Sequence, residues 1–410
     1  MIYDFSKRFR ELIKDDGGKI VLCVLDGLGG IPYKDGRSEL EVANTPNLDS
    51  LAKDSSKGLH IPVEFGITPG SGPSHLALFG YDPVENVIKR GILEALGIGL
   101  VPKQNEIFAR GNFAKCVQDG DKIKVLDRRA GRISTEDNRK LVQILSEKIK
   151  KIEDVEVSFY TVKEHRVCIS FRGENLSDDI GDTDPQKEGD FIRYPAVVGE
   201  ATFEKEKMAK IAYQLSLKIF EVLHDEGLCI LMRGFSKVPE IESFQERWKL
   251  KALAIASYPM YRGLAKILGM DVAEIPSGTL EEQIEVMKKS FSSYEFFYFH
   301  FKMTDSAGED GNFDEKVRAI ERFDSVLPSI LELKPDVLAI TGDHSTPSKI
   351  AGHSFHPVPL LIYSEKRAFR DGFGRFTERD CMKGSLGTIY AVHLMPLLLA
   401  HAGRLEKFGA

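Results

Sequence analysis

Apolar residues in the outer parts of the chain come in short unbroken runs and in helical repeats. Unbroken runs of about four to eight apolar residues are typical of strands buried on both faces, and apolar residues three and four positions apart predict helices. This pattern predicts strands at 18–27, 296–303, 336–341 and 358–363. It predicts helices at 45–51, 75–79, 92–97, 260–268, 279–290, 313–333 and 386–402.

The middle of the chain has a different pattern. It predicts strands at 109–115, 122–126, 155–160, 167–171 and 228–232, with helices at 135–151 and 203–225. This mixture is typical of an α+β domain, whereas the outer parts have the alternation of an α/β domain with a mostly parallel sheet. The residues with candidate chemistry occur only before 76 and after 304. We therefore predict an inserted domain at 108–245 within a discontinuous catalytic domain at 1–107 and 246–410.

The composition is that of an ordinary soluble globular protein. The 410 residues are 42% hydrophobic and 29% charged, and the net charge of −6 gives no basic surface for nucleic acid. Residues 1–17 are charged and have no apolar centre, so we expect no signal peptide, and no apolar run is long enough to predict a membrane span. We expect a cytoplasmic protein that binds neither nucleic acid nor membrane, and the sequence leaves its oligomeric state open.

The five cysteines are scattered along the chain, and no two of them have metal-ligand spacing. An odd and sparse set of cysteines is typical of a reducing compartment. Cys23 and Cys229 lie in apolar runs, and we predict that both are buried thiols.

Three carboxylates follow apolar runs that should be strands. Asp26, Asp305 and Asp343 come after 20–25, 296–303 and 337–341. In an open α/β sheet, ligands bind beyond the carboxyl ends of the strands. With His344 and His353, these carboxylates suit two divalent cations. Each segment alone could be a turn or a helix start, but their combination favours a two-metal site.

Ser71 is the candidate nucleophile of this site. A serine hydroxyl needs its pKa lowered before it attacks, and a metal ion can do this. Gly70 and Gly72 leave room for a phosphate, and a helix starting near Pro73 would direct N–H groups to it. Ser74 is a competing nucleophile, but it is better placed as the N-cap of that helix.

Asp305 and Glu309 are four residues apart, which places them on one face of a helix. His353 and His356 could not easily serve one metal, so one of them is predicted to be structural. The alternative is that Glu309 points to solvent and that Asp310 or His356 completes the site. His165 and His300 have no clear partner in the sequence and are also predicted to be structural.

Three arginines in the segment 127–132 suit the binding of a phosphate or carboxylate, because a guanidinium can bind either in a bidentate manner. These are Arg128, Arg129 and Arg132. A charge cluster can equally be a solvated surface. Further candidates for the same role are Lys89, Arg90, Lys163, Arg166, Arg233 and Arg262.

These motifs, taken together, resemble those of the archaeal-type cofactor-independent phosphoglycerate mutases, a branch of the alkaline phosphatase superfamily. The resemblance spans nearly the whole chain. The matching segments are 24–27, 43–47, 69–71 through 75–83, 127–132, 163–166, 182–185, 341–344, and 353 through 357–359.

The resemblance implies a metal-dependent phosphatase-like domain with an inserted phosphotransferase domain. It implies transfer of the phosphate of 3-phosphoglycerate to Ser71 and its return to the 2-hydroxyl. The ligands it implies are Asp26, Ser71, Asp343 and His344 for one metal ion, and Asp305 and His353 for the other. The family usually has histidine where this chain has Glu309, and Gly72-Pro73 replaces the commoner Asp-Thr.

The expected cofactors are two divalent ions: Mn²⁺, Mg²⁺ or Co²⁺, with Zn²⁺ as a further candidate. The expected substrate is a small phosphoglycerate. Two other functions stay open, a metal-dependent phosphomonoesterase and a catalytically weakened relative, the latter suggested by Glu309. The inserted domain favours the mutase, because a mutase must exclude water until the second transfer.

Overall fold

The computed structural model describes residues 10–409. Its strands are β1 (Ile20–Leu25), β2 (Ser55–Ile61), β3 (Glu106–Asp119), β4 (Lys122–Asp127), β5 (Lys151–Ile152), β6 (Val155–Lys163), β7 (Arg166–Arg172), β8 (Leu228–Ser236), β9 (Ala252–Ile255), β10 (Asp271–Val272), β11 (Phe296–Phe301), β12 (Val337–Thr341), β13 (Val358–Tyr363) and β14 (Gly387–Tyr390).

The helices connect these strands, and short 3-10 turns lie at Arg10–Leu12 and Ala391–His393. The α-helices are α1 (Glu39–Val42), α2 (Pro46–Lys53), α3 (Ser71–Leu78), α4 (Arg90–Gly97), α5 (Thr135–Lys148), α6 (Phe203–Val222), α7 (Phe244–Trp248), α8 (Pro259–Ile267), α9 (Leu280–Ser290), α10 (Met303–Glu309), α11 (Phe313–Leu331), α12 (Glu378–Cys381) and α13 (Leu394–His401). No helix among the described residues combines the length and apolar character needed to cross a membrane.

The chain forms two compact units. One contains the chain up to Val87, Ile241–Tyr258 and the chain from Leu268 onward, and the other contains Ile88–Glu240 and Pro259–Ile267. Residues 88–107, which we expected in the catalytic domain, belong to the second unit because α4 packs against β3, β8 and α8. The assignment of catalysis to one unit and of substrate clamping to the other stays a prediction.

The first unit has an eight-stranded sheet in the order β10-β9-β11-β1-β12-β13-β2-β14. Its centre is β1, which pairs in parallel with β11 and β12, so that Cys23 lies between Phe299 and Ile340. All three strands are completely buried, which explains their unbroken apolar sequences. Only β13 runs antiparallel to its neighbours. The predicted α/β class with a mostly parallel sheet is confirmed.

The second unit has an antiparallel sheet in the order β4-β3-β7-β6-β5, with β8 paired to β3. The apolar side of α6 packs on this sheet through Met208, Ile211 and Leu215. Cys229 on β8 forms a disulfide with Cys116 on β3. The prediction of a free thiol at 229 was therefore wrong, because the two strands pair across a separation of 113 residues that the sequence does not reveal. Cys23 is a buried free thiol, as predicted.

Several elements of the first unit differ from the sequence prediction, among them β14 and β2. Residues 387–390 form β14 along β2, so the helix predicted at 386–402 is confined to Leu394–His401 after a 3-10 turn. Strand β2 was missed because its sequence, Ser-Ser-Lys-Gly-Leu-His-Ile, is mostly polar. All seven residues are nevertheless buried.

His60, near the end of β2, is buried and neutral. Its Nε2 lies 2.9 Å from the carbonyl oxygen of Gly342 and 3.0 Å from Thr341 Oγ1. Burial lowers its pKa to about 4, although the Gly342 carbonyl and the Asp343 charge partly offset this. Between pH 6.5 and pH 4 the unfolded chain therefore binds a proton that the folded protein excludes, and stability falls as the pH falls through this window.

We expect His60 to reduce the free energy of unfolding by about 2 kcal/mol between pH 7 and pH 5. His60→Gln retains an amide donor for the Gly342 carbonyl and should lack this part of the pH dependence. Urea unfolding of both proteins at several pH values measures the difference. Parallel stability profiles for wild type and His60→Gln would show that His60 titrates normally.

Candidate active site

The three predicted carboxylates meet at the carboxyl ends of neighbouring parallel strands. Asp26 directly follows β1, Asp343 comes two residues after β12, and Asp305 lies in the first turn of α10, which follows β11. Each is at most 1% exposed. Because β1 is hydrogen-bonded to both β11 and β12, these strand ends are adjacent, and residues nearly 320 positions apart come together.

Two groups of potential metal ligands share one histidine. The first is Asp26, Asp343 and His344, and the second is Asp305, His344 and His353. Within each group, one ligand atom of every residue lies within 4.8 Å of the others. His344 Nε2 lies 3.1 Å from Asp343 Oδ2 and 3.5 Å from Asp26 Oδ1. His353 Nε2 lies 3.6 Å from Asp305 Oδ1, and its ring stacks on that of His344.

Ser71 is the first residue of α3, and its Oγ lies 3.2 Å from His344 Nε2. Its position at the helix start follows from Gly70, which has an extended conformation and acts as the N-cap. The helix thus begins two residues before Pro73. Ser74 is inside the helix, where its hydroxyl donates to the Gly70 carbonyl at 3.0 Å, so our expectation of an N-cap role for Ser74 was wrong.

Thr346 fixes the orientation of the shared histidine. Its Oγ1 lies 2.9 Å from His344 Nδ1 and donates to Asp305 Oδ1 at 2.7 Å. Because that hydroxyl proton goes to Asp305, His344 Nδ1 must be the donor to Thr346. The lone pair of His344 is then on Nε2, which faces Asp26, Asp343 and Ser71. Such an outer hydrogen bond is the usual way in which a protein sets the tautomer of a metal-binding histidine.

Positive charge from the protein offsets part of the negative charge of the site. Lys302 Nζ lies 3.0 Å from Asp26 Oδ2 and also donates to Asp305. Burial opposes ionisation of Asp26, but Lys302 and then His300 outweigh it and hold the pKa of Asp26 well below its usual range. Sequence reasoning missed Lys302, although a lysine at the end of the six-residue apolar run of β11 was a signal.

Two further histidines touch the ligands directly, and one of them, His300, was predicted to be structural. His300 Nε2 lies 3.1 Å from Asp26 Oδ2, and His75 Nδ1 lies 3.2 Å from Asp343 Oδ2. Burial opposes protonation of His75, but the charge and hydrogen bond of Asp343, together with the charge of Asp26, outweigh burial and raise the pKa of His75. His300 therefore contacts the Asp26 oxygen that does not face His344, whereas His75 shares Asp343 Oδ2 with His344.

The residue at 309 lies at the border of the site. The Glu309 side chain is 56% exposed, and its Oε1 is 3.7 Å from His353 Nε2. Its role as a metal ligand stays a prediction. The alternative ligand His356 is engaged elsewhere, since its Nδ1 lies 3.0 Å from Ser354 Oγ and its ring stacks on Phe355. His353 is thus the histidine of this segment that reaches Asp305.

The predicted arginines lie in the second unit, in differing surroundings. Arg128 binds Asp184 through two hydrogen bonds of 2.7 and 3.0 Å, and Arg233 Nε lies 3.7 Å from the same carboxylate. Arg129 and Arg132 are exposed in the turn after β4, and Arg262 is half-buried in α8. Of the three arginines that are clustered in the sequence, Arg128 therefore pairs with Asp184, whereas Arg129 and Arg132 lie at the surface.

Sequence reasoning missed Arg110, a buried arginine that lies next to the predicted Arg233. It lies on β3 directly opposite Arg233 on β8, and Asn112, two residues further, lies opposite Arg166 on β7. All four therefore share one sheet face. Like charges opposite each other destabilise a sheet. Burial, and then the charge of Arg110, lowers the pKa of both Arg166 and Arg233 to about 10. An arginine inside the apolar stretch 107–114 was the available signal.

The donor set of the first unit fits divalent metal ions. Each ligand group contains carboxylate oxygen and imidazole nitrogen, and Lys302 already places one cationic group between Asp26 and Asp305. Carboxylates and imidazoles together suit Mg²⁺, Mn²⁺, Co²⁺ and Zn²⁺.

Comparison with known proteins agrees with this geometry. Residues 18–401 match the model of the Metalloenzyme superfamily, which is the class that the sheet and its ligand groups define. A relative from Thermosipho africanus, named "Probable 2,3-bisphosphoglycerate-independent phosphoglycerate mutase", is 54% identical over 99% of this chain and 100% of its own.

Two solved structures extend the comparison. A protein from Pyrococcus horikoshii matches with a TM-score of 0.80 and 31% identity, over 96% of this chain and 100% of its own. The cofactor-independent phosphoglycerate mutase of Thermoplasma acidophilum matches with a TM-score of 0.67 and 30% identity, over 94% and 100%. The chain belongs to the family of 2,3-bisphosphoglycerate-independent phosphoglycerate mutases, and the predicted resemblance is confirmed.

Proposed function

We propose that this protein interconverts 3-phosphoglycerate and 2-phosphoglycerate through a phosphoserine at Ser71, with two divalent cations bound at the ligand groups. The observation that carries the proposal is the position of Ser71 Oγ, 3.2 Å from the one histidine that belongs to both groups. A hydroxyl placed there touches the residue that both ligand groups share, and cations held by these groups would lower its pKa.

The residues that would hold the cations follow from the two groups. Asp26, Asp343 and His344, with Ser71, would hold one, and Asp305 and His353, with Glu309, would hold the other. When bound, such cations lower the pKa of a hydroxyl and offset the charge on phosphoryl oxygens. Their identity among Mn²⁺, Mg²⁺, Co²⁺ and Zn²⁺ is part of what the experiments below measure.

The reaction uses Ser71 Oγ in both transfers, first as the nucleophile and then as the leaving group. Ser71 Oγ attacks phosphorus, the bond from phosphorus to the 3-oxygen of the substrate breaks, and the proton lost by Ser71 is balanced by one gained at the 3-hydroxyl of glycerate. After glycerate turns, its 2-hydroxyl attacks phosphorus and the bond from phosphorus to Ser71 Oγ breaks. The proton lost by the 2-hydroxyl is balanced by one gained at Ser71 Oγ. The phosphate comes from the substrate itself, so 2,3-bisphosphoglycerate is not required as a primer.

The start of α3 supports the phosphoryl group. The amides of Ser71 and Gly72 are the first N–H groups of a helix and have no carbonyl partner within it. Such groups bind phosphate oxygens well, and the helix dipole favours negative charge there. Ser71 is only 8% exposed, which limits the access of water to the phosphoserine.

The arginine face of the second unit supports binding of an anionic substrate. Arg110, Arg166 and Arg233 share one sheet face, and their charges repel one another. A bound carboxylate or phosphate would relieve that repulsion and accept charge-assisted hydrogen bonds. We therefore assign the glycerate-holding role of the second unit to this face, with Arg128, Arg129, Arg132 and Arg262 as further candidates.

We expect Ser71→Ala to lower mutase activity by at least about a thousandfold, because no other hydroxyl can take its place as the nucleophile. Ser74→Ala, three residues further in the same helix, is the matched control and should stay active. The assay follows 2-phosphoglycerate and free phosphate from 3-phosphoglycerate with Mn²⁺. An inactive Ser74→Ala variant with an active Ser71→Ala variant would refute Ser71 as the nucleophile. If the wild type released only free phosphate, the protein would be a phosphatase instead.

We expect Arg233→Gln to raise KM for 3-phosphoglycerate by about tenfold or more, because a charge-assisted hydrogen bond is lost. The same change removes one of two facing cations, so the ligand-free protein should melt at a higher temperature. The control is Arg172→Gln, since Arg172 is paired with Glu156 at the surface of β7. A Tm that falls, with KM unchanged, would mean that Arg233 is purely structural.

Glu309 adds a carboxylate to the group of Asp305 and His353, which favours hard cations over softer ones. We therefore expect Glu309→His to shift metal preference from Mg²⁺ and Mn²⁺ towards Zn²⁺ or Co²⁺. Competition titrations of wild type and variant with these ions measure the shift. Affinities that are unchanged for Mn²⁺, Mg²⁺ and Zn²⁺ would show that Glu309 points to solvent without binding metal.

A further inference from the structure

A completely buried lysine lies beneath the ligand groups. Lys316 is the fourth residue of α11, and its side chain has no solvent exposure. Lysine is almost never fully buried without a partner, because removing an ammonium group from water costs much free energy. Its charge is favoured by the carboxylates of Glu39, Glu378 and Asp305, but burial still lowers the pKa of Lys316.

The ammonium group of Lys316 donates to three backbone carbonyls. They belong to Gly27 at 2.9 Å, Gly29 at 3.0 Å and Thr346 at 2.8 Å. A lysine ammonium has three N–H donors, so this arrangement uses all of them. Gly27 and Gly29 belong to the loop after Asp26, and Thr346 belongs to the loop after Asp343 and His344. One side chain thus joins the two loops that carry the first ligand group.

These loops contact each other directly at the same place. The Thr346 amide donates to the carbonyl of Gly29 at 3.1 Å, and the Gly27 amide donates to Asp343 Oδ1 at 3.0 Å. Gly27 has a φ of +64°, and a Cβ there would lie 2.8 Å from Asp305 Oδ1. The loops are therefore closely packed, and a small shift of either one would move a ligand atom.

We propose that Lys316 is a positioning residue that holds the loops after β1 and β12 at metal-binding separation before any cation arrives. The inference rests on the proposed function, in which Asp26, Asp343 and His344 hold one cation. Lys316 touches carbonyl oxygens only, so it acts through the loops and not on the substrate.

Removal of Lys316 should change metal affinity in opposite directions depending on whether Lys316 positions the loops or acts only through its charge. A positive charge near the site opposes the binding of a divalent cation. If Lys316 acted only through its charge, its removal would strengthen metal binding. If it positions the loops, its removal leaves three buried carbonyls without their donor, loosens the loops and weakens metal binding.

The test compares Lys316→Met with Lys57→Met. Lys57 is also completely buried and donates to a backbone carbonyl, that of Phe373, but it joins no ligand loops. Titration with Mn²⁺, followed by the electron paramagnetic resonance of free Mn²⁺, gives the Kd. We expect Lys316→Met to raise Kd by about 10- to 100-fold and Lys57→Met to leave it unchanged. Equal effects, or tighter binding by Lys316→Met, would overturn the proposal.

A second measurement on metal-free wild type holds even if Lys316→Met does not fold. Hydrogen exchange should show the amides of Leu28 and Thr346 protected as strongly as those of β1. Rapid exchange at both amides that slows only after Mn²⁺ is added would mean that the cation, not Lys316, orders the loops. Neither measurement uses turnover, so a wild type that binds Mn²⁺ but forms no 2-phosphoglycerate would refute the proposed function alone.

Discussion

The first unit is organised around one electrostatic constraint, which is that three buried carboxylates must stay ionised close together. Asp26, Asp305 and Asp343 have almost no contact with water, and both burial and the charge of Asp26 oppose ionisation of Asp343, although its pKa is lowered overall. The imidazoles of His344 and His75 lower the pKa of Asp343, and the ammonium group of Lys302 lowers the pKa of Asp26. Without these partners, burial would favour the protonated forms of Asp26 and Asp343, which are poorer metal ligands.

The sequence predicted that Asp26, Asp305 and Asp343 meet, because each follows a strand with a clear apolar run. Strands β1, β11 and β12 are buried on both faces, so their sequences needed no interpretation beyond length and hydrophobicity. The parallel alignment then follows from the alternation with helices, and it places the ligands at one edge. What the sequence could not provide was the ligand distances, which depend on loop contacts such as those of Thr346.

The failures of prediction have a common physical origin, which is polar side chains that find partners inside the protein. In β2, the Ser55 hydroxyl donates to Leu51, Lys57 donates to Phe373, and His60 bonds to the loop after β12. Each of these residues is polar and is therefore predicted to lie at the surface. Its burial is stable because tertiary contacts provide its hydrogen-bond partners. Arg110 was missed for the same reason, since its position on a central strand is explained only by Glu94 and by the cluster around it.

Charge balance gives each of the two unusual clusters of the protein a preference for anionic groups. In the proposed loaded site, Asp26, Asp305 and Asp343 oppose two divalent cations and Lys302. This leaves an excess of positive charge, which Glu309 would reduce and which a phosphoryl group with close to two negative charges would offset. The arginine face of the second unit also has more positive than negative groups, and a carboxylate would offset it. Each cluster by itself therefore favours an anionic group, and a phosphoglycerate carries one group of each kind, a phosphate and a carboxylate.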